Sequence, residues 1–176
     1  MRKRGEINLD PIAKRKTATK RRIKPRLTVN MKYTVGNIGK AIVAKIENGD
    51  DLLGCLTKIT LKEKVKSGII FVIGAIHKNK AVCGPLKAVI PAKPFWQNFP
   101  GPSEIVGIGT VFCEKNQPKI HLHSAIGRGK ITRVGCLRKK TDVFLIVEAV
   151  ILEIKNVKAK RMFDKKFALS LLEVLR

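Results

Sequence analysis

The chain has 176 residues, of which 44% are hydrophobic and 28% are charged. This composition excludes a collagenous, low-complexity or wholly disordered protein, and it leaves enough apolar residues for a core of ordinary size. Thirty-seven Lys and Arg against 13 Asp and Glu give a formal charge of +24. Such an excess favours anionic partners, namely nucleic acid, anionic lipid or acidic proteins.

Targeting signals and cysteine usage indicate the compartment. The chain contains no run of 18 apolar residues, so no membrane span is predicted. Its charged N-terminus is not followed by the apolar segment that a secretory signal would have. The cysteines are widely spaced without a C-x-x-C motif: Cys55, Cys83, Cys113 and Cys136. In a chain without an export signal we expect free thiols. The sequence therefore predicts a cytoplasmic protein that makes no membrane contact.

Residues 1–32 differ from the rest of the chain. They carry twelve basic and two acidic residues, a net charge of +10, and their apolar residues follow no period of 2 or 3.6. We therefore expect a mostly disordered basic arm over 1–32 and a folded domain over 33–176. In an alternative interpretation of this segment, the protein starts at Met31. The candidate nucleic-acid-binding residues of the arm are Arg2, Lys3, Arg4, Lys14, Arg15, Lys16, Lys20, Arg21 and Arg22.

The first half of the domain predicts a strand, a helix and a second strand. Ala41–Ile46 is a β-prone run, and Asp50 or Asp51 can cap a following helix. Gly68 is placed to end that helix in the left-handed conformation, and Ile69–Ile76 then reads as a buried strand rich in β-branched residues. The helix is predicted from an apolar stripe of mostly helical spacing: Leu52, Leu53, Leu56, Ile59 and Val65.

The second half predicts mainly strands. Its first part, residues 87–102, holds four of the eight prolines and is expected to be a long loop. A hairpin about the polar turn 114–118 is expected next, followed by two more strands and a closing apolar patch at 167–175. Together these elements predict an α+β fold in which a mostly antiparallel sheet packs on one main helix. The predicted strands are 105–112, 120–125, 131–137 and 142–154.

Two of the three histidines stand two residues apart, as His121 and His123. In a strand both imidazoles point to one face, while Leu122 points to the core. Imidazole is a common zinc ligand, so Cys136 on the next strand and His77 after an earlier strand could complete a zinc site. Spacing alone favours the other interpretation, in which the histidines hydrogen-bond to the backbone at a strand end.

Arg128 lies between Gly127 and Gly129 at the end of the same predicted strand. Flanking glycines allow an unusual backbone and the close approach of an anion, which makes Arg128 a candidate anion-binding residue. A glycine turn with a solvated arginine explains the same pattern. No phosphate-binding loop, nucleophile elbow or dinucleotide fingerprint occurs in the chain, so no reaction class can be named.

Several short motifs resemble one known family. Asp-Asp-Leu-Leu precedes the predicted helix, Ile-Gly-Ala occupies 73–75, His-Leu-His-Ser-Ala-Ile-Gly-Arg occupies 121–128 and Gly-Cys-Leu occupies 135–137. In this order they resemble the PPC (plants and prokaryotes conserved) domain, also called DUF296, in its prokaryotic single-domain form. The resemblance extends over about 37–175.

The resemblance implies an α+β domain assembled as a homotrimer. In some members of the family a metal, usually zinc, lies near the histidines between subunits. His121 and His123 match the two family histidines, whereas Cys136 stands where many relatives have a further histidine. Plant members join the domain to AT-hooks that bind DNA. Here Arg4 and Gly5 are followed by Glu6 and Ile7, so the hook is missing.

Charge and resemblance together predict a DNA-binding, transcription- or chromatin-associated trimer with weak sequence preference, because no base-reading motif is visible. The alternative is a metal-dependent (zinc) enzyme or small-ligand-binding protein that uses the His-x-His site. A third interpretation attributes the charge to a host adapted to heat or salt. Unmatched lysines argue against an ion-pair network of that kind.

Overall fold

A computed structural model of the protein describes residues 31–175. All but the last two residues of the predicted basic arm lie outside this range. The described chain forms ten strands and one helix. In chain order they are β1 (Asn37–Glu47), α1 (Leu52–Lys62), β2 (Ser67–Ile76), β3 (Asn79–Pro85), β4 (Pro94–Phe99), β5 (Ser103–Glu114), β6 (Gln117–Arg128), β7 (Ile131–Leu137), β8 (Val143–Lys155), β9 (Ala159–Asp164) and β10 (Leu169–Val174).

Eight of the strands form one antiparallel sheet, in the order β1-β8-β2-β5-β6-β7-β3-β4. β9 and β10 pair with each other as a separate hairpin. The predicted fold class is therefore confirmed: a mostly antiparallel sheet with one main helix. The predicted β5–β6 hairpin is also confirmed. Its two-residue turn places both Lys115 and Asn116 in the left-handed region, as a tight hairpin turn requires.

The helix begins at the predicted cap but ends differently. Asp51 accepts a hydrogen bond from Gly54 N at 3.2 Å and another from Thr141 N at 3.0 Å, which joins the helix start to the segment before β8. The prediction that Gly68 ends the helix is wrong, because the helix ends at Lys62 and Lys64 takes the left-handed turn with a φ of 57°. Gly68 instead lies in β2, where a Cβ would come within 2.7 Å of Leu152 O.

The predicted long loop at 87–102 is only partly a loop. Its second half forms β4, which pairs with β3, a strand that the sequence did not predict. Proline is tolerated here because β4 is the last strand of the sheet and needs hydrogen-bond donors on one side only. This pairing brings Trp96 opposite Val82 and adds an aromatic side chain to the edge of the sheet.

The two faces of the sheet have different environments. The inner face packs on α1 and forms the core, in which Leu52, Leu56 and Leu122 are fully buried. The opposite face, called here the outer face, exposes apolar side chains on β5 and β7, the two strands that flank β6. Val106 on β5 is 63% exposed and Val134 on β7 is 62% exposed, although both belong to regular strands.

A candidate metal centre

The histidine pair lies on the outer face of β6, as the alternation predicts. Leu122 between the two histidines is fully buried, so both imidazoles point away from the core. The two Nε2 atoms are 3.0 Å apart, and the rings meet edge to face with their centroids 4.8 Å apart. The strand therefore presents two nitrogen donors at one point of its surface.

Cys136 joins this pair through strand pairing. It stands directly opposite His123 in the β6–β7 ladder, and opposite residues share a face of the sheet. Its side chain is buried, and its Sγ and the two imidazole nitrogens all lie within 4.8 Å of one another. Of the four sequence candidates for metal ligation, the structure brings these three together.

His77 is not part of this cluster. It follows β2, its backbone N–H donates to Asp142 O at 2.9 Å, and its ring packs edge to face against Phe144 with centroids 5.0 Å apart. Two strands, β5 and β6, must be crossed in the sheet order to pass from β2 to β7, which carries Cys136. The contacts of His77 are those of a packed structural histidine.

The three donors suit a zinc-type metal. Bond lengths of about 2.0–2.1 Å to nitrogen and about 2.3 Å to sulfur place tetrahedral ligand atoms roughly 3.3–3.6 Å apart. The two imidazole nitrogens, which are 3.0 Å apart, therefore need to move apart only slightly to bind one ion. The three donor atoms together, which lie within 4.8 Å of one another, need to come modestly closer. Two imidazoles and a thiol form a borderline-soft donor set that leaves a fourth position open. The residues present fit such an ion.

The surroundings of His121 favour its neutral form. Desolvation by its neighbours lowers the pKa of His121 below its ordinary value, and the positive charges of Arg161, His123 and Arg138 lower it further. Neutral imidazole is the form that binds a metal. The electrostatics of the site therefore favour the ligand-competent state near neutral pH.

A cleft of about 630 Å³ opens beside His121 and Cys136. Its lining includes Leu53 of α1 and, from the β9–β10 hairpin, Arg161. Arg138, just after β7, also lines it and lies 3.5 Å from Cys136 Sγ through its Nε. Sequence reasoning missed both arginines, since nothing in their local sequence separates them from other basic residues of a chain with charge +24.

Arg128 lies at the far end of β6. It is seven positions along the extended strand from His121, a distance of about 23 Å. Its guanidinium lies against Gly101, where any Cβ would collide with Nη1, and it lines a smaller cleft of about 290 Å³ together with Arg133. The structure therefore does not bring Arg128 to the histidine site, so the two cannot hold one small ligand. The candidate DNA-binding residues of the arm lie outside the described residues.

Comparison with known families now adds to the geometry. The sequence model of the Plants and Prokaryotes Conserved (PCC) domain matches residues 33–155, well over half of the chain. The chain belongs to the PCC family. This is the PPC family that the sequence motifs resemble, so that prediction is confirmed. No curated protein matches the sequence.

Solved structures share the fold of this PCC domain. A metal-containing protein from Archaeoglobus fulgidus has a TM-score of 0.71 and 20% identity over 83% of this chain and 100% of its own. A PPC protein from Pyrococcus horikoshii has a TM-score of 0.71 and 23% identity over 83% and 99%. A proposed DNA-binding protein from Bacteroides thetaiotaomicron has a TM-score of 0.65 and 20% identity over 80% and 99%. At these identities the likeness concerns the fold.

Within residues 31–175, the single helix, α1, has 11 residues and is too short to cross a membrane.

Proposed function

We propose that this PCC protein binds DNA with weak sequence preference, as a transcription- or chromatin-associated homotrimer. The observation that carries the proposal is the distribution of charge: a net +10 in residues 1–32 and a further +14 in the other 144. Lys and Arg that neutralise phosphates release condensed counterions, which supplies sequence-independent affinity. Two PCC-fold proteins of known structure, from Bacteroides thetaiotaomicron and Ralstonia eutropha, are themselves proposed DNA-binding proteins.

A lysine cluster around Trp96 offers a contact surface on the folded domain. Lys80 Nζ lies 5.6 Å and Lys139 Nζ 5.2 Å from the centre of the indole ring. Lys78 and Lys140 line the same shallow cleft beside β3. Nucleic-acid-binding surfaces combine cationic groups that follow the phosphate backbone with aromatic rings beside them. This Trp96 cluster would act together with the basic arm.

The outer face of the sheet supports self-association. Strand pairing sets Phe71 opposite Ile108 and Ile108 opposite His123, so an exposed apolar row leads to the candidate metal centre. Contiguous exposed apolar side chains are typical of an interaction surface, and the homotrimer implied by the family resemblance supports further copies of the chain as its occupant. A trimer would present three basic arms and raise avidity through effective concentration.

Salt-stepped fluorescence anisotropy with a labelled duplex tests the DNA proposal on the full chain. Three variants each replace three cationic residues by Gln, so that the total charge change is the same. The arm variant changes Lys14, Arg15 and Lys16, and the Trp96-cluster variant changes Lys80, Lys139 and Lys140. The control variant changes three exposed lysines in or just after α1: Lys58, Lys62 and Lys66.

Each lost phosphate contact is expected to lower the slope of log K against log salt by about 0.9. The arm variant should therefore lose up to about three units of slope, the Trp96-cluster variant should also lose slope, and the control should keep the wild-type value. Equal losses in all three variants would contradict the assignment to these surfaces. Wild-type binding that does not change between low and high salt would contradict DNA binding through charge altogether.

The clustering of His121, His123 and Cys136 favours a second candidate function, a zinc-dependent enzyme or small-ligand-binding protein. One PCC-fold protein, from Archaeoglobus fulgidus, contains a metal. A zinc ion held by these residues would supply a Lewis acid and an activated water at its open position. Metal analysis of the purified full chain after exposure to zinc tests this candidate. Fewer than about 0.1 ions per chain would contradict it, because adventitious binding alone reaches that level.

A further inference from the structure

The cleft beside the candidate metal centre exists because β7 is shorter than β6. The β6–β7 ladder begins at Leu122 and Leu137, so residues 117–121 of β6 pair only with β5 within the described chain. The β9–β10 hairpin and α1 border the space left by the missing strand residues. The result is a concave site of about 630 Å³, within the range of roughly 300–1,000 Å³ that is usual for small-molecule sites.

Arg161 of β9 is held in the lining of this cleft by two hydrogen bonds. Its Nη1 donates to Ser170 O at 3.1 Å and its Nη2 to Thr110 Oγ1 at 3.3 Å, so the guanidinium connects the hairpin to β5. Thr110 stands opposite His121 in the β5–β6 ladder, which places Arg161 next to the candidate metal centre. Its Nε is buried and has no hydrogen-bond partner among the described residues. A partly desolvated cation held in this way is costly unless an anion meets it.

Arg138 is the second cation of the cleft and is exposed to solvent. Its contact with a protein side chain is the 3.5 Å approach of Nε to Cys136 Sγ, which leaves its terminal nitrogens available. Glu114, the carboxylate in the cleft lining, accepts a hydrogen bond from Ser170 Oγ at 2.5 Å and lies 3.9 Å from Lys119 Nζ. Within residues 31–175, neither arginine forms a salt bridge with a carboxylate.

We propose that this cleft binds the oxyanion, carboxylate or phosphate, of a small molecule on Arg161 and Arg138. Guanidinium groups suit such anions because their parallel N–H donors match two oxygens at once. The apolar remainder of the ligand packs against the apolar lining of the cleft, which includes Leu53 and Leu171. The oxyanion itself would lie beside the candidate metal centre, because Arg138 Nε is 3.5 Å from Cys136 Sγ and Arg161 contacts Thr110, which stands opposite His121. The proposal deepens the second candidate function, but it does not require the metal to be present.

The position of Arg161 favours a small ligand over nucleic acid. The half-buried guanidinium is held inside the cleft by Ser170 O and Thr110 Oγ1, a recessed position that suits a small anion better than the rigid backbone of a duplex. The Trp96 cluster and the basic arm, which carry the proposed DNA contacts, belong to other parts of the chain. The cleft therefore has its own ligand class.

Titration of the full chain with inorganic phosphate and with malonate tests the proposal, both before and after zinc is added. Isothermal calorimetry gives the affinity, and side-chain Nε–Hε resonances of arginine report which arginines respond. We expect saturable binding of at least one anion and a shift of the Arg161 and Arg138 resonances. The preferred anion shows whether the natural ligand carries a phosphate or a carboxylate. Binding to the zinc-free chain separates this proposal from the metal-binding function.

Arg138→Gln is the main variant, because Arg138 is exposed and its replacement should disturb the fold less than that of the half-buried Arg161. It should weaken anion binding about tenfold or more, the loss expected for a charge-assisted hydrogen-bonded pair. Arg133→Gln removes the same charge from β7, outside the cleft, and should keep the wild-type affinity. Three results would overturn the proposal: no saturable binding of either anion, an equal loss in both variants, or displacement of the anion from Arg161 by duplex DNA.

Discussion

Removal of one donor from the candidate metal centre should abolish tight metal binding. The variants are His121→Ala, His123→Ala and Cys136→Ser. Structural zinc sites with four ligands have apparent binding free energies of about 10–16 kcal/mol, or about 2.5–4 kcal/mol for each donor. At about 1.4 kcal/mol for each factor of ten, loss of one donor should weaken binding roughly 60- to 700-fold. The three donors lie within 4.8 Å of one another, so each should contribute about 2.5–4 kcal/mol to the free energy of zinc binding.

Competition with a chromophoric zinc chelator measures these affinities on the full chain. Cobalt(II) serves as a second probe, because a thiolate ligand adds a sulfur-to-metal charge-transfer absorption in the near ultraviolet. Cys136→Ser should lose that absorption, whereas the histidine variants should weaken binding and keep the absorption at saturating cobalt. These two readouts separate the loss of a ligand from a general loss of folded protein.

His77→Ala is the matched control. His77 is the remaining histidine of the chain, and it packs on Phe144 away from the cluster. It should bind zinc with wild-type affinity. A loss in His77→Ala as large as in His121→Ala, or wild-type affinity in all three cluster variants, would refute the assignment of the donors.

Three further predictions concern stability, assembly and thiol chemistry. Leu122→Ala should lower the free energy of unfolding by about 2–5 kcal/mol in urea titrations, because Leu122 is fully buried; a change below 1 kcal/mol would contradict its place in the core. Ile108→Lys on the outer face, where Ile108 is 58% exposed, should convert a trimer to monomers in analytical ultracentrifugation. An unchanged trimer would show that another surface assembles the chain. Burial raises the pKa of Cys113 despite the opposing charge of Lys66. Its thiol should therefore react with iodoacetamide more slowly in the native than in the urea-unfolded chain at pH 8, as judged by mass spectrometry, and equal rates would contradict this.

Local patterns predicted most of the strands and the start of the helix. The alternation around Leu122 placed both histidines on one face, because successive side chains of a strand point to opposite sides. Asp51 was one of two predicted caps, and its carboxylate accepts the expected backbone hydrogen bond. The long apolar stretch 142–154 is a strand, as its β-branched residues indicate, and it forms most of β8. Each of these features depends on residues close together in sequence.

Errors arose where distant residues determine the conformation. Gly68 looks like a helix terminator in sequence, yet it is required in β2 because Leu152 O of β8 approaches it closely. The proline-rich segment contains β4 because β3 offers it a free edge at the end of the sheet. Neither cause is visible in a window of ten residues, since both depend on the order of strands in the sheet.

The sequence by itself determined the charge, the family and the pair of histidines on one face of a strand, because composition, motifs and the period of two are local properties. Only the tertiary structure decided which further residues join that pair. Strand register set Cys136 opposite His123 and left His77 against Phe144. Packing of the last hairpin brought Arg161 to Thr110, 51 residues earlier in the chain. Contacts over such separations follow from the order and register of strands, which no single segment encodes.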